Sequence, residues 1–166
     1  MPDETQDGKD AYTRLISLLD ARKARYRLIE HPPEGRTAVV SPMRGNNIND
    51  AAKCIVLIVK IGKRTTKFVL AVVPGGRRLS LNAVKRLFSA TYVSFASPEI
   101  AQGLAGSVPG TILPFTFTPD MELIADPSLR SSESLYFNAA RLDRSVALNT
   151  EDYFAIAEPR IEHLVE

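Results

Sequence analysis

Two long apolar runs constrain this chain more than any other feature. Ala51-Ala52-Lys53-Cys54-Ile55-Val56-Leu57-Ile58-Val59-Lys60 and Thr65-Thr66-Lys67-Phe68-Val69-Leu70-Ala71-Val72-Val73 stand on either side of Gly62-Lys63-Arg64. Both are rich in β-branched residues and have strand length, and a link this tight joins them as an antiparallel hairpin. The first run also carries an oddity. Lys53 stands at the entrance of an apolar strand, where an ammonium needs a partner or a path to water. Taken alone, such a lysine snorkels to solvent and guards the strand end against aggregation.

The remaining segments supply shorter elements. Asp10 caps a helix with Tyr12, Leu15, Ile16 and Leu19 on one face, and Tyr26 to Glu30 alternates like a strand. His31-Pro32-Pro33-Glu34-Gly35 breaks regular structure, and Ser41-Pro42 starts a short helix that Gly45-Asn46-Asn47 ends. A helix from Ser80 or Asn82 to Phe88 and a strand from Thr91 to Phe95 follow. Ser97-Pro98-Glu99 is a helix start, running out at Gly103 or Gly106. Phe115–Thr118 and Met121–Ala125 flank Pro119-Asp120 as a second hairpin. Leu135–Ala139 and Ser145–Leu148 flank Arg141 to Arg144 as a third. A last helix starts at Thr150 and stops before Pro159. The expected fold class is α+β: a single domain with a curled, mixed or antiparallel sheet of about seven strands and short helices packed around it.

The 166 residues suffice for one domain with a real core. Met1 to Lys9 is polar and acidic, unlike a signal or transit peptide, and is expected to be a disordered tail before a domain spanning residues 10–166. A single cysteine excludes an internal disulfide and suits a reducing compartment, so the expected location is the cytoplasm, with no membrane association. The net charge of +2 conceals a segregation. From Ala51 to Pro98 there are nine cations and no acid, whereas Pro119 to Glu166 holds ten acids against four arginines. A basic face gains counterion-release energy on a nucleic-acid backbone; the alternative is a surface whose two halves meet in space.

Several chemistries are excluded. One cysteine and two distant histidines, His31 and His163, do not make a zinc site, and no cofactor is expected. There is no Gly-x-Ser-x-Gly elbow, P-loop or dinucleotide fingerprint. Strand alternation sends Cys54 and Lys53 to opposite faces, which places Cys54 in the core if Lys53 faces a cleft. Gly110-Thr111-Ile112-Leu113-Pro114 is an irregular loop between residues of special backbone geometry. Its free N–H groups can bind a carbonyl or a developing oxyanion; the plainer alternative is a turn carrying Ile112 and Leu113 into the core.

Together these markers resemble the YbaK and prolyl-tRNA synthetase editing-domain superfamily of aminoacyl-tRNA deacylases, from the first helix to Ala157. They are His31-Pro32-Pro33, Ala51-Ala52-Lys53 opening a long apolar strand, Ser97-Pro98-Glu99, the Gly110–Pro114 loop, Phe137-Asn138-Ala139-Ala140 and Asp143-Arg144-Ser145. The absence of synthetase modules matches the free-standing, trans-acting branch. The resemblance implies hydrolysis of the ester between a small wrong amino acid (alanine, serine or threonine) and the terminal adenosine of tRNA. It makes Lys53 and Gly110 the catalytic candidates, and Thr111, Ile112, Leu113, Pro114, His31 and Asn138 the substrate-binding ones. Lys60, Lys63, Arg64, Lys67, Arg77 and Arg78 are then candidates for contact with tRNA, the expected partner, with association with a synthetase a further possibility. Three features depart from the usual pattern: Ala140 where glycine is common, Thr111 where a smaller residue is frequent, and no acids around Ser41-Pro42. The rival expectation is a module of the same fold that binds tRNA or aminoacyl-adenosine without hydrolysis.

Overall fold

The hairpin forms as the sequence predicts, and the rest of the chain covers it on both faces. The computed structural model describes residues 10–166; the expected disordered tail, Met1 to Lys9, lies outside the described residues. In chain order the elements are α1 (Ala11–Ala21), β1 (Tyr26–Glu30), α2 (Thr37–Arg44), β2 (Ala52–Ile61), β3 (Thr65–Pro74), α3 (Leu81–Phe88) and β4 (Tyr92–Phe95). Then come α4 (Pro98–Ala105), β5 (Met121–Ala125), β6 (Ser134–Asn138), β7 (Arg144–Asn149), α5 (Thr150–Ala157) and β8 (Arg160–Ile161), with short 3-10 turns at Ile48–Asp50 and Pro127–Ser131. The helix starts follow their caps: Asp10, Ser80, Ser97 and Asn149 each accept an N–H from the first turn of α1, α3, α4 and α5.

β2 and β3 pair antiparallel without a break from Ala52 opposite Pro74 to Ile61 opposite Thr65. Alternation then sorts their side chains. Leu57 and Val59 of β2 join Val69, Ala71 and Val73 of β3 in one core with Val84 of α3 and Leu164. Ala52 and Val56 face a second core with Leu15 and Leu19 of α1 and residues of β5, β6, β7 and α5. Each fully buried leucine or valine here contributes about 1.5–3 kcal/mol, so the two-sided burial of this hairpin dominates the fold.

The α+β class is as expected, but the eight strands divide between two sheets instead of one curled sheet. One has the order β1-β7-β6 and is antiparallel throughout; the other has the order β4-β2-β3-β5-β8. The small residue Ala51, bridged to Tyr136, joins them at the start of β2. The β6–β7 hairpin is present. The second expected hairpin is not: β5 lies parallel to β3, and Phe115–Thr118 is irregular. Phe115 is buried edge-on against Phe137 and Tyr153, and parallel pairing requires the long crossover that residues 75–120 provide. The helix expected to start at Ser41-Pro42 instead starts at Thr37 and runs through Pro42, because burial of Val40, Ser41 and Arg44 outweighs the hydrogen bond that proline omits. β8 has no sequence signal of its own; two residues suffice because β5 supplies the edge.

Asp126 ties the C-terminal segment to this frame. Its buried carboxylate accepts the Leu164 N–H at 2.7 Å and the Ser128 N–H at 3.0 Å. Burial pushes this carboxyl up, but those donors, the Ser128 hydroxyl and His163 outweigh burial and hold it below its ordinary value of 3.8. Asp126→Asn is therefore expected to lower unfolding free energy at pH 7 by about 1–3 kcal/mol in urea titrations. A carboxyl lowered in the folded state stabilises above its unfolded value, so the difference between the two proteins should shrink as pH falls below about 4.

Candidate active site

A cleft of about 440 Å³ opens where the two sheets meet, lined among others by Gly35, Arg44, Lys53, Cys54, Gly110 and Asn138. The chain brings it together from five places: the segment before α2, the end of α2, the start of β2, the Gly110 loop and the end of β6. Alternation at the start of β2 acts as expected, with a consequence the sequence did not show. Cys54 packs against the core that holds Phe137 and forms part of the cleft floor, while Lys53 lies on the opposite face of the strand. The Lys53 ammonium donates to the Arg77 carbonyl at 2.9 Å. Lys53 and Gly75 line both the cleft and a neighbouring hollow of about 320 Å³, so Lys53 forms a ridge between two cavities. Burial, and to a lesser extent Arg78, lowers the Lys53 pKa below 10.5. Burial also pushes the Cys54 thiol up, which keeps it protonated and unsuited to nucleophilic attack.

The Gly110 loop is fixed from several directions. Gly110 has φ +90°, and a Cβ there would stand 3.0 Å from the Gly35 Cα and 3.1 Å from the Gly35 oxygen. Glycine is thus required by backbone packing on Gly35 and by the left-handed conformation. Thr111 is fully buried, its hydroxyl donating to the Val108 carbonyl at 2.7 Å, so it neither narrows nor polarises the cleft. Leu113 belongs to the core, and the Pro114 carbonyl accepts the Tyr153 hydroxyl at 2.8 Å. Of the loop residues, Gly110 and Ile112 line the cleft, and among the described residues neither N–H has a protein acceptor.

Behind the cleft lies a buried polar network that the sequence indicated only in part. Asn138 lines the cleft, donates to the Glu34 and Arg141 carbonyls at 2.8 and 3.0 Å, and accepts from Arg44 Nη1 at 3.1 Å. Arg44 Nη1 also reaches Ser145 Oγ at 3.1 Å, and Arg44 Nε reaches Asn46 Oδ1 at 3.0 Å. His31 does not line the cleft. Its Nε2 lies 2.7 Å from Ser145 Oγ and its Nδ1 2.9 Å from the Pro32 carbonyl. The Pro32 carbonyl requires a proton on Nδ1, and Ser145 Oγ accepts from Arg44 while in hydrogen-bond reach of the His31 Nε2. Arg44 is only 7% exposed, yet no carboxylate lies within 4.0 Å of it among the described residues, and its Nη2 has no acceptor there. Burial lowers its pKa to about 10. Arg44 is the residue that sequence reasoning missed, and Ser145 stood out only within the Asp143-Arg144-Ser145 marker, without a role; the available signal was that Arg44 falls four positions after Val40, on the buried face of α2.

The tRNA-contact candidates form two groups. Arg77 and Arg78 border the hollow beside Lys53. Lys60, Lys63, Arg64 and Lys67 are exposed at the far tip of the hairpin, about 23 Å along β2 from Lys53. Among the described residues, none of the nine cations from Lys53 to Arg86 forms an ion pair. Of the acids in the C-terminal part, Glu122, Asp143, Glu151, Asp152 and Glu162 pair with Arg25, Arg141 and Arg160 instead, while Arg144 pairs with Glu30. Among the described residues, side-chain ion pairs therefore do not join the basic stretch to the acidic one; Arg77 Nη2 donates instead to the Glu166 main-chain oxygen at 3.3 Å. A wider hollow of about 870 Å³, lined by Arg25, Arg130 and Glu151, is remote from the loop; its Arg25 is bound to Asp152 and its Arg130 stacks on Phe154 at 4.6 Å.

Comparison with known proteins gives the family of the chain. The model of the aminoacyl-tRNA editing domain matches residues 31–156, and the chain belongs to that family. It is 36% identical, over 95% of both chains, to the Multifunctional Ser/Thr-tRNA deacylase ProXp-y of Escherichia coli strain K12, and equally to that of strain O157:H7. Its fold is shared with a crystal structure of a putative trans-editing enzyme for prolyl tRNA synthetase (TM-score 0.77, 20% identity, covering 95% of this chain and 98% of that one). A crystal structure of a hypothetical protein aligns with TM-score 0.82 at 19% identity, covering 92% of this chain and 99% of the other.

Two residues in left-handed backbone should respond oppositely to substitution. Ala140 has φ +64°, where a side chain costs about 1–2 kcal/mol relative to a right-handed conformation, so Ala140→Gly should raise the melting temperature. Gly110→Ala should lower it, since it adds the same penalty and a clash with Gly35. Thermal unfolding of both variants checks the pair.

Proposed function

We propose that this chain is a trans-acting aminoacyl-tRNA deacylase that removes serine or threonine from wrongly charged tRNA. One observation supports this reading above the rest: a narrow cleft, shaped by a pinned glycine loop, stands beside a field of unpaired cations. The cleft suits an amino-acyl group and the cations suit phosphates. The substrate class follows the Escherichia coli relative, 95% of whose length this chain covers.

No Asp, Glu or His lines the cleft, which fits substrate-assisted hydrolysis. The oxygen of a water molecule adds to the ester carbonyl carbon while a group on the substrate takes its proton. The Gly110 and Ile112 N–H groups stabilise the oxyanion. The carbon–oxygen bond to the ribose then breaks, the ribose oxygen takes a proton, and free amino acid and tRNA leave. Lys53, on the ridge, holds the phosphate of the terminal nucleotide; a charged ammonium acts here electrostatically. Arg44 supplies what a hydroxylated side chain requires. Its unused N–H groups donate to the serine or threonine oxygen, so a substrate lacking that oxygen leaves them unpaired. Arg77 and Arg78 receive the next phosphates, and the hairpin tip reaches toward the acceptor stem.

A panel of mischarged tRNAs, assayed for amino-acid release, tests the reading directly. Seryl and threonyl esters should be hydrolysed, and Lys53→Ala should reduce kcat/KM about a hundredfold with unchanged melting temperature. Release at the wild-type rate in that variant would sink the role given to Lys53. Arg44→Met should cut kcat/KM for seryl-tRNA about tenfold more than for alanyl-tRNA. An equal loss on both would reduce Arg44 to a structural part.

The lowered Lys53 pKa adds a pH test. Its charge is present at low pH and is lost as pH rises through the folded value, which lies below 10.5. Affinity for uncharged tRNA should therefore decline on the alkaline side earlier than an ordinary lysine would allow. Lys53→Arg should remove that limb of the profile, because a guanidinium stays charged there.

A further inference from the structure

Phe95 is the most exposed large apolar side chain among the described residues, at 57%. It sits on β4, the edge strand of the five-stranded sheet, opposite Leu57 of β2. Leu57 and Lys53 share a face of β2, four residues or about 13 Å apart. Phe95 and Lys53 accordingly border the same hollow, together with Ile55, Arg77 and Arg78. Phe95 and Arg78 also border a second hollow of about 400 Å³ toward the start of α3. An aromatic face is thus held open to solvent directly across the Lys53 ridge from the amino-acyl cleft. Among the described residues Lys53, Arg77 and Arg78 form no side-chain ion pair, although Glu166 borders the second hollow and its main-chain oxygen accepts from Arg77 Nη2 at 3.3 Å.

We infer that Phe95 is the stacking platform for the penultimate nucleotide of the tRNA, the unpaired cytidine before the terminal adenosine. This rests on the deacylase reading for the direction of the chain. With the amino-acyl group in the cleft and the terminal phosphate on Lys53, the strand crosses the ridge at Lys53 and Gly75. The next base then enters the Phe95 hollow, and its own phosphate meets Arg77 or Arg78. Stacking on an aromatic ring does not read base identity, and cations beside it follow the backbone. A protein partner or a second copy of this chain would also cover an aromatic side chain, but it would need acids placed opposite Lys53, Arg77 and Arg78, whereas every nucleotide of an RNA strand carries a phosphate. Charge complementarity therefore favours RNA.

The test is a double-mutant cycle between protein and RNA. A short stem-loop ending in CCA and the same RNA with an abasic penultimate residue are titrated against wild type, Phe95→Ala, Phe95→Tyr and Phe95→Leu by fluorescence anisotropy. Loss of the base should weaken binding to wild type about five- to a hundredfold and have no further effect on Phe95→Ala. Phe95→Tyr should keep the penalty and Phe95→Leu should lose it. Because Phe95 is exposed, melting temperatures should stay together. An equal abasic penalty in wild type and Phe95→Ala, or none in either, overturns the inference, as does a wild-type dimer that Phe95→Ala converts to monomer without such coupling. The deacylase reading is decided separately by the mischarged panel. Coupling without hydrolysis sinks that reading alone, and hydrolysis without coupling sinks the stacking site alone.

Discussion

Two-sided burial of the β2–β3 hairpin is the constraint from which the rest follows. A strand pair covered on both faces leaves no room for charge along its length, so polar chemistry is confined to its ends. One end carries the exposed turn with Lys63 and Arg64; the other carries Ala51, Ala52 and Lys53, where the second sheet joins through Tyr136. Small residues at that junction let the sheets converge and leave a cleft between them. The strand period then gives the two sides of the junction different characters. One side is an apolar floor that includes Cys54, and the other is a basic ridge and groove.

The cleft's polar wall depends on a second interaction, the buried Arg44 guanidinium and its neutral acceptors. Burying a cation without an anion costs several kcal/mol, and hydrogen bonds to Asn138, Ser145 and Asn46 offset only part of that. A carboxylate partner would have been the cheaper solution for stability alone. Its absence among the described residues leaves the charge of Arg44 without a counter-ion at the cleft wall. Asn138 and His31 then have a common purpose: each fixes one side of the Ser145–Arg44 pair, one from the cleft wall and one from behind it.

The hairpin, the helix caps and the β6–β7 pair were legible because each is a local pattern: continuous apolar runs, a serine or aspartate before a helix, a short polar turn. The parallel strand β5 was not. Met121–Ala125 looks the same whether its partner is the preceding segment or β3, and only the burial of Phe115 among Phe137 and Tyr153 decides. The helix through Pro42 was hidden for a similar reason, since packing overrode a local breaker. In the site, Lys53 and Gly110 stood out as local anomalies. Arg44 did not, because an arginine in a helix is ordinary until the structure shows it to be buried. Gly35 was equally silent: its meaning lies in its distance from Gly110, seventy-five positions away in the chain.

The same network bears on how the protein folds. His31 meets Ser145 across 114 residues of chain, and Arg44 meets Asn138 across 94. Closing loops of that length is slow compared with forming a hairpin, and strand β1 pairs with β7 over a similar separation. The cleft therefore depends on the chain ends meeting, at a larger closure cost than the local β2–β3 hairpin carries. The basic hairpin is thus local in the chain, whereas the pocket beside it exists only where distant segments close on each other.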